Sequence, residues 1–167
     1  EARSLVSKLK AVRETVKDNE KLMGKAAQQF PEYESLLSIP GFGPIVSAMV
    51  LAAIGNPCRF ESRRQVVRLA GLDLSAERSG KNSDSAKPVI SKQGKAALRY
   101  ALVQAAMVAS SRHRFFMAYF ARMLQGRERE RGIRTKMRVK LAAKMLVIAW
   151  TLMKRGESFN PEYLKVQ

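Results

Sequence analysis

The chain has 167 residues, 31 Lys+Arg against 14 Asp+Glu, one His, a formal net charge of +17 at pH 7, and 46% hydrophobic residues. That length suits one domain with or without an appended arm, and the apolar fraction excludes a chain disordered from end to end. A single cysteine, Cys58, excludes an internal disulfide and a cysteine-based zinc site, and no apolar run reaches the roughly 18 residues of a membrane-spanning helix.

So large a cationic surplus opposes compaction and points to an anionic partner. Nucleic acid comes first and an anionic membrane surface or acidic protein second. No signal peptide opens the chain. Glu1 rather than Met begins it, so a piece of a longer protein is expected. The lone thiol points to the reducing cytoplasm.

In chain order, Leu5, Leu9, Val12, Val16, Asn19, Met23, Ala26 and Phe30 recur at alternating steps of four and three. That is the period of a left-handed coiled coil, with a polar Asn at one seam position. Residues 1–30 are therefore expected to form a helical arm that pairs with another copy. The alternative is an amphipathic helix folded onto the chain's own core. Pro31 separates this arm from a helical domain over 31–167. A short helix is expected over Glu32–Leu37, a turn over Ile39–Pro44 and a buried helix over Ile45–Ile54, stopped by Gly55-Asn56-Pro57. Ser62 is the expected N-cap of a helix from Arg63 to Ala70, with Arg63, Arg64 and Arg68 set apart from its apolar residues.

Residues 71–90, GLDLSAERSGKNSDSAKPVI, lack a period and read as a long loop with at most a short extended piece. Ser91 is the expected cap of a helix from Lys92 to about Ser110, striped by Leu98, Leu102, Ala105, Ala106 and Ala109. Arg114–Leu124 is a helix whose Phe115, Phe116, Tyr119 and Phe120 read as core. His113 reads as a helix-end residue. Gly126–Arg138 reads as a basic connector or groove lining, in which Arg127, Arg129, Arg131, Arg134, Lys136 and Arg138 could meet phosphates. The last strong helix is expected over Lys140–Lys154, closed by Gly156. The fold class is all-α.

Two stretches carry chemistry. SIPGFGPIVSAMVLAAIG, residues 38–55, resembles a helix-hairpin-helix element spanning 36–55. Gly41, Phe42 and Gly43 would form a tight turn close to a phosphate. Pro44 would open a helix whose free N–H groups grip the backbone without reading sequence. The plainer alternative is an ordinary αα-hairpin turn. In the second stretch, Arg78-Ser79-Gly80-Lys81 precedes Lys92, Lys95 and Arg99, cations that could gather around a phosphodiester. By themselves Ser75, Ser79, Ser83 and Ser85 are ordinary loop serines.

Taken together, LLSIPGFGPIVSAMVLAAIG, RFESRRQVVRLAGLDL, RSGK, ISKQGKAALRYALVQAA and KLAAKMLVIAWTLMKRG resemble, in order and spacing, the C-terminal domain of the insertion-sequence one-ten class of transposases. These are RNA-guided DNA recombinases. The resemblance covers residues from about 34 to 155. It implies DNA and a guide RNA as partners, and a homodimer or higher assembly through the arm. It implies residence at the bacterial nucleoid in the cytoplasm and no membrane association. It also implies a separate RuvC-like nuclease domain, which this chain lacks, with four acidic ligands for a divalent metal such as Mg; no cofactor is expected on this chain itself. The family's nucleophilic serine falls on Ser79. Many relatives carry a second Ser and Gly in this loop where this chain has Arg78-Ser79-Gly80-Lys81, which makes Ser83 the next candidate. A non-catalytic module for nucleic-acid binding and dimerisation accounts for the same hairpin and charge.

Overall fold

A computed structural model of the chain describes residues 1–75 and 89–165. Among them are seven α-helices: α1 (Ala2–Ala27), α2 (Glu32–Leu37), α3 (Pro44–Ile54), α4 (Arg63–Leu69), α5 (Ala96–Arg112), α6 (Arg114–Leu124) and α7 (Ile133–Arg155). Short 3₁₀ turns lie at Pro57–Arg59 and Pro161–Leu164. The only extended pairing among the described residues is an antiparallel ladder of β1 (Leu74–Ser75) with β2 (Val89–Ile90). The all-helical expectation holds apart from that ladder. No described helix is long and apolar enough to cross a membrane.

The centre of the body is α5 lying along α7. The expected stripe of α5 (Leu98, Leu102, Ala105, Ala106, Ala109) is buried. So are Leu141, Met145, Ile148, Ala149 and Leu152 of α7. Around this pair sit α2, α3, α4 and α6. The Trp150 indole N–H of α7 donates to the Pro57 carbonyl at 2.8 Å, tying the central helix to the turn after α3. The chain's end folds back as well: the Phe159 N–H donates to Ser38 Oγ at 2.7 Å, and the Phe159 ring stacks on Phe116 with centroids 5.4 Å apart. Phe116 and Phe120 are core, as expected; Phe115 lies at the surface. His113 joins α5 to α6, at a helix end, with its ring beside Phe115 and Phe116.

Three boundaries differ from the sequence expectations. Helix α5 starts at Ala96 with Lys95 as its cap, not at Lys92. Lys92 has φ 57, a left-handed conformation that cannot begin a right-handed helix. The Ser91 hydroxyl meanwhile donates to Asp73 Oδ1 at 2.6 Å. Helix α7 starts at Ile133, so Arg134, Lys136 and Arg138 lie on its first turns rather than in a connector. Ser62 does precede α4, but its side chain makes no capping bond; Gln65 Oε1 accepts from the Glu61 N–H instead.

Helix α1 stands apart. Ala27 is its one buried residue, while Leu5 is 65% and Val12 60% exposed. Only its last turns meet the body, where Met23, Ala26, Ala27 and Phe30 line an apolar groove with Ala48, Leu51 and Ala52 of α3. The expectation of an amphipathic helix laid on the chain's own core therefore fails for most of its length.

Candidate nucleic-acid interface

Two arrangements bring the sequence-predicted residues together. The first is the α2–α3 hairpin. Ile39 is buried and its carbonyl accepts the Phe42 N–H at 2.9 Å, closing the turn. Gly41 has φ +92, and a Cβ there would stand 2.6 Å from the Ala105 carbonyl oxygen and 3.0 Å from Ala109 Cβ. Gly41 is therefore glycine because the turn presses against α5, a packing reason rather than a ligand-facing one. Phe42 is 6% exposed, so its ring belongs to the core and its amide is already committed. Gly43 faces open space. It caps α3 without a side-chain bond, and Pro44 takes the first helical position. The Ile45 and Val46 N–H groups in the first turn of α3 have no acceptor within the helix. Of the predicted turn residues, Gly43 and the start of α3 thus remain accessible. The Tyr33 hydroxyl, from α2, donates to the Pro44 carbonyl at 3.4 Å and steadies this end.

The second arrangement is the stem of the long loop. The ladder pairs Leu74 with Ile90 and Ser75 with Val89, so the chain leaves for segment 76–88 and returns from it at one place. Just below, two backbones cross at van der Waals limit. A Cβ on Gly94 would lie 2.2 Å from the Gly71 nitrogen and 2.5 Å from the Leu69 carbonyl oxygen, and Gly71 itself has φ +62. Hydrogen bonds lock the crossing. The Lys95 N–H donates to Leu69 O at 2.8 Å, the Lys92 N–H to Gly71 O at 3.1 Å, and Arg99 Nη1 to Ala70 O at 2.9 Å and Lys92 O at 3.3 Å. Arg99 thus spends part of its guanidinium on the scaffold.

Beside this stem, Arg63, Arg64 and Arg68 of α4 line an open groove of about 740 Å³ with Leu72, Asp73 and Leu74. Asp73 ties the parts together: it accepts from Ser91, and one oxygen lies 3.9 Å from Arg68 Nε. Lys92, Lys95, Arg99 and the α4 arginines therefore share one neighbourhood at the foot of the loop. Arg78, Ser79, Gly80 and Lys81, and the alternative Ser83, lie outside the described residues.

The basic turn before α7 is less uniform than its composition suggests. Arg127 makes a bidentate pair with Glu130, Nε to Oε1 and Nη2 to Oε2 both at 2.8 Å. That hydrogen bonding holds the Glu130 carboxyl below the usual carboxylate range. Arg138 is half-buried, its guanidinium 5.7 Å from the Phe120 ring centroid. Arg131, Arg134 and Lys136 are exposed and open to a partner. None of these residues shares a groove with the loop stem.

A protein-family model described as the Transposase IS116/IS110/IS902 family matches residues 33–121. The chain belongs to this family. The matched span runs from α2 into α6 and so contains both the hairpin and the loop stem. No curated protein matches the chain. Among the described residues no three His, Cys, Asp or Glu side chains gather as a metal site requires, so these residues do not fit a divalent ion.

Sequence reasoning missed Asp73 and the Gly71–Gly94 crossing. Both glycines stand inside motifs that draw attention for other reasons, and only the packed structure shows that each must lack a side chain because of the other.

Proposed function

We propose that this chain is the nucleic-acid-binding and strand-transfer domain of a transposase, and that Ser79 is its nucleophile. The observation that carries the reading is the ladder that sends out and receives segment 76–88 beside the α4 arginines and the 92–99 cations. A serine on that segment would work next to a concentration of positive charge, which suits a phosphodiester gaining charge in its transition state. Ser79 Oγ would form a bond to phosphorus, and the P–O bond to the departing sugar oxygen would break, with the serine proton ending on that oxygen. The α2–α3 hairpin would act as a helix-hairpin-helix element, with Gly43 and the first N–H groups of α3 against the sugar-phosphate backbone. The exposed α1 seam supports a coiled-coil arm that pairs protomers. DNA and a guide RNA are the expected partners, and a separate metal-dependent nuclease domain completes the reaction.

This chain alone is expected to bind nucleic acid without cutting it. In the complete transposase, Ser79→Ala is expected to abolish the covalent protein–DNA adduct and strand exchange while leaving binding within about twofold, under about 0.5 kcal/mol. Undiminished strand exchange in that variant would instead make this a non-catalytic binding and dimerisation module.

A further inference from the structure

A groove of about 570 Å³ opens between α6, α7 and the C-terminal 3₁₀ turn, away from every stretch singled out in the sequence. Arg122, Lys140, Lys144 and Lys165 line it, together with Tyr119, Met123 and Leu164. Its acidic content is small. Lys165 is paired with Glu162 at 2.6 Å, but neither Arg122 nor Lys140 forms an ion pair among the described residues. Arg122 lies instead over the Tyr119 ring, 5.5 Å from its centroid. Leu164 is buried and anchors the 3₁₀ turn that forms the groove's third wall.

The groove does not end at α7. Lys144 sits within electrostatic reach of Arg63, the first residue of α4, and burial together with that neighbour holds its ammonium below the usual lysine range. Two cations brought together from different helices, one of them half-buried, repel each other unless an anion comes between. From Arg63 the charge continues along α4 through Arg64 and Arg68 to the loop stem.

We infer that a nucleic-acid phosphodiester backbone lies in the α6–α7 groove, on Arg122, Lys140 and Lys144, and continues past Arg63 along α4 to the foot of the 76–88 segment. The inference rests on the proposed function and gives it a path: the groove sets where a strand enters and the α4 arginines carry it toward Ser79. Phosphate contacts of this kind fix register and carry no sequence information. Tyr119 adds a hydroxyl and a ring face at the groove wall. The ligand chemistry is the same whether the strand is DNA or guide RNA.

The test is fluorescence anisotropy of this chain with a labelled DNA duplex and, separately, a labelled RNA hairpin, each across a salt series. One variant combines Arg122→Ala, Lys140→Ala and Lys144→Gln. A charge-matched control combines Lys8→Ala, Lys10→Ala and Lys17→Ala on exposed α1. Circular dichroism verifies that both fold, and the double variant Arg122→Ala/Lys140→Ala, at exposed positions only, serves if Lys144→Gln does not. The groove variant is expected to bind at least about tenfold more weakly, its log–log salt slope shallower by about 0.9 for each phosphate the variant no longer neutralises, with the control nearly unchanged. The probe that responds identifies the strand. If the wild type binds and the groove variant is weakened no more than the control, the path is wrong and the proposed function stands. If the wild type binds neither probe, the proposed function fails first.

Discussion

Helices α1 and α7 are the two long helices of the chain, and both carry apolar residues on a regular helical repeat. Yet α7 buries nine residues and α1 buries one. The difference comes from what each helix meets. α7 is flanked by α2, α4, α5 and α6, each offering an apolar face. α1 meets only α3, over its last turns. An apolar stripe records that a helix wants a partner; it does not say whether the partner belongs to the same chain.

Substitutions on the two helices sharpen this contrast. Leu146 of α7 is fully buried. Leu146→Ala is expected to cost about 3 kcal/mol through reduced apolar burial and a residual cavity, read as a lower urea midpoint with unchanged slope. On α1 the effect should run through association. Asn19 occupies a seam position, so Asn19→Leu is expected to tighten self-association about tenfold, near 1.4 kcal/mol, measured by sedimentation equilibrium. A dimerisation constant unmoved by that change would mean the seam does not pair. Trp150→Phe removes the indole donor to Pro57 and keeps most of the ring; a loss of about 1 kcal/mol in chemical denaturation is expected. The smallest effect belongs to Leu9→Ala, at an exposed position: monomer stability should stay within about 0.5 kcal/mol at high dilution. A large loss there would show that α1 packs on the body after all.

The same contrast explains how much of the molecule is legible in the sequence. Signals that act within a few residues read well. Pro44 opening α3, Gly55-Asn56-Pro57 closing it, and Gly156 ending α7 in the left-handed region are all found. So are the bounds Glu32–Leu37 and Arg114–Leu124. Errors arise where a distant partner claims a local signal. Ser91 is a good N-cap residue, but Asp73 holds its hydroxyl. The start of α7 is hidden because Arg134, Lys136 and Arg138 stand out for their charge, although Arg and Lys are also good helix formers. Gly41 has the look of a phosphate-approach residue, whereas α5 occupies that side. Spacing alone does not reveal the α6–α7 groove. It needs Arg122, Lys140 and Lys165 brought together by folding, and each alone is an ordinary surface cation.

One measurement bears most directly on Ser79. Trypsin cuts after Arg68, Arg78, Lys81 and Lys92 but not between Lys87 and Pro88, so Ser75, Ser79 and the pair Ser83 and Ser85 fall on different peptides. Mass spectrometry of a trapped protein–DNA adduct from the complete transposase should place the nucleotide mass on Ser79-Gly80-Lys81. A nucleotide mass found instead on the peptide carrying Ser83 and Ser85, or on none of these peptides, would contradict the assignment.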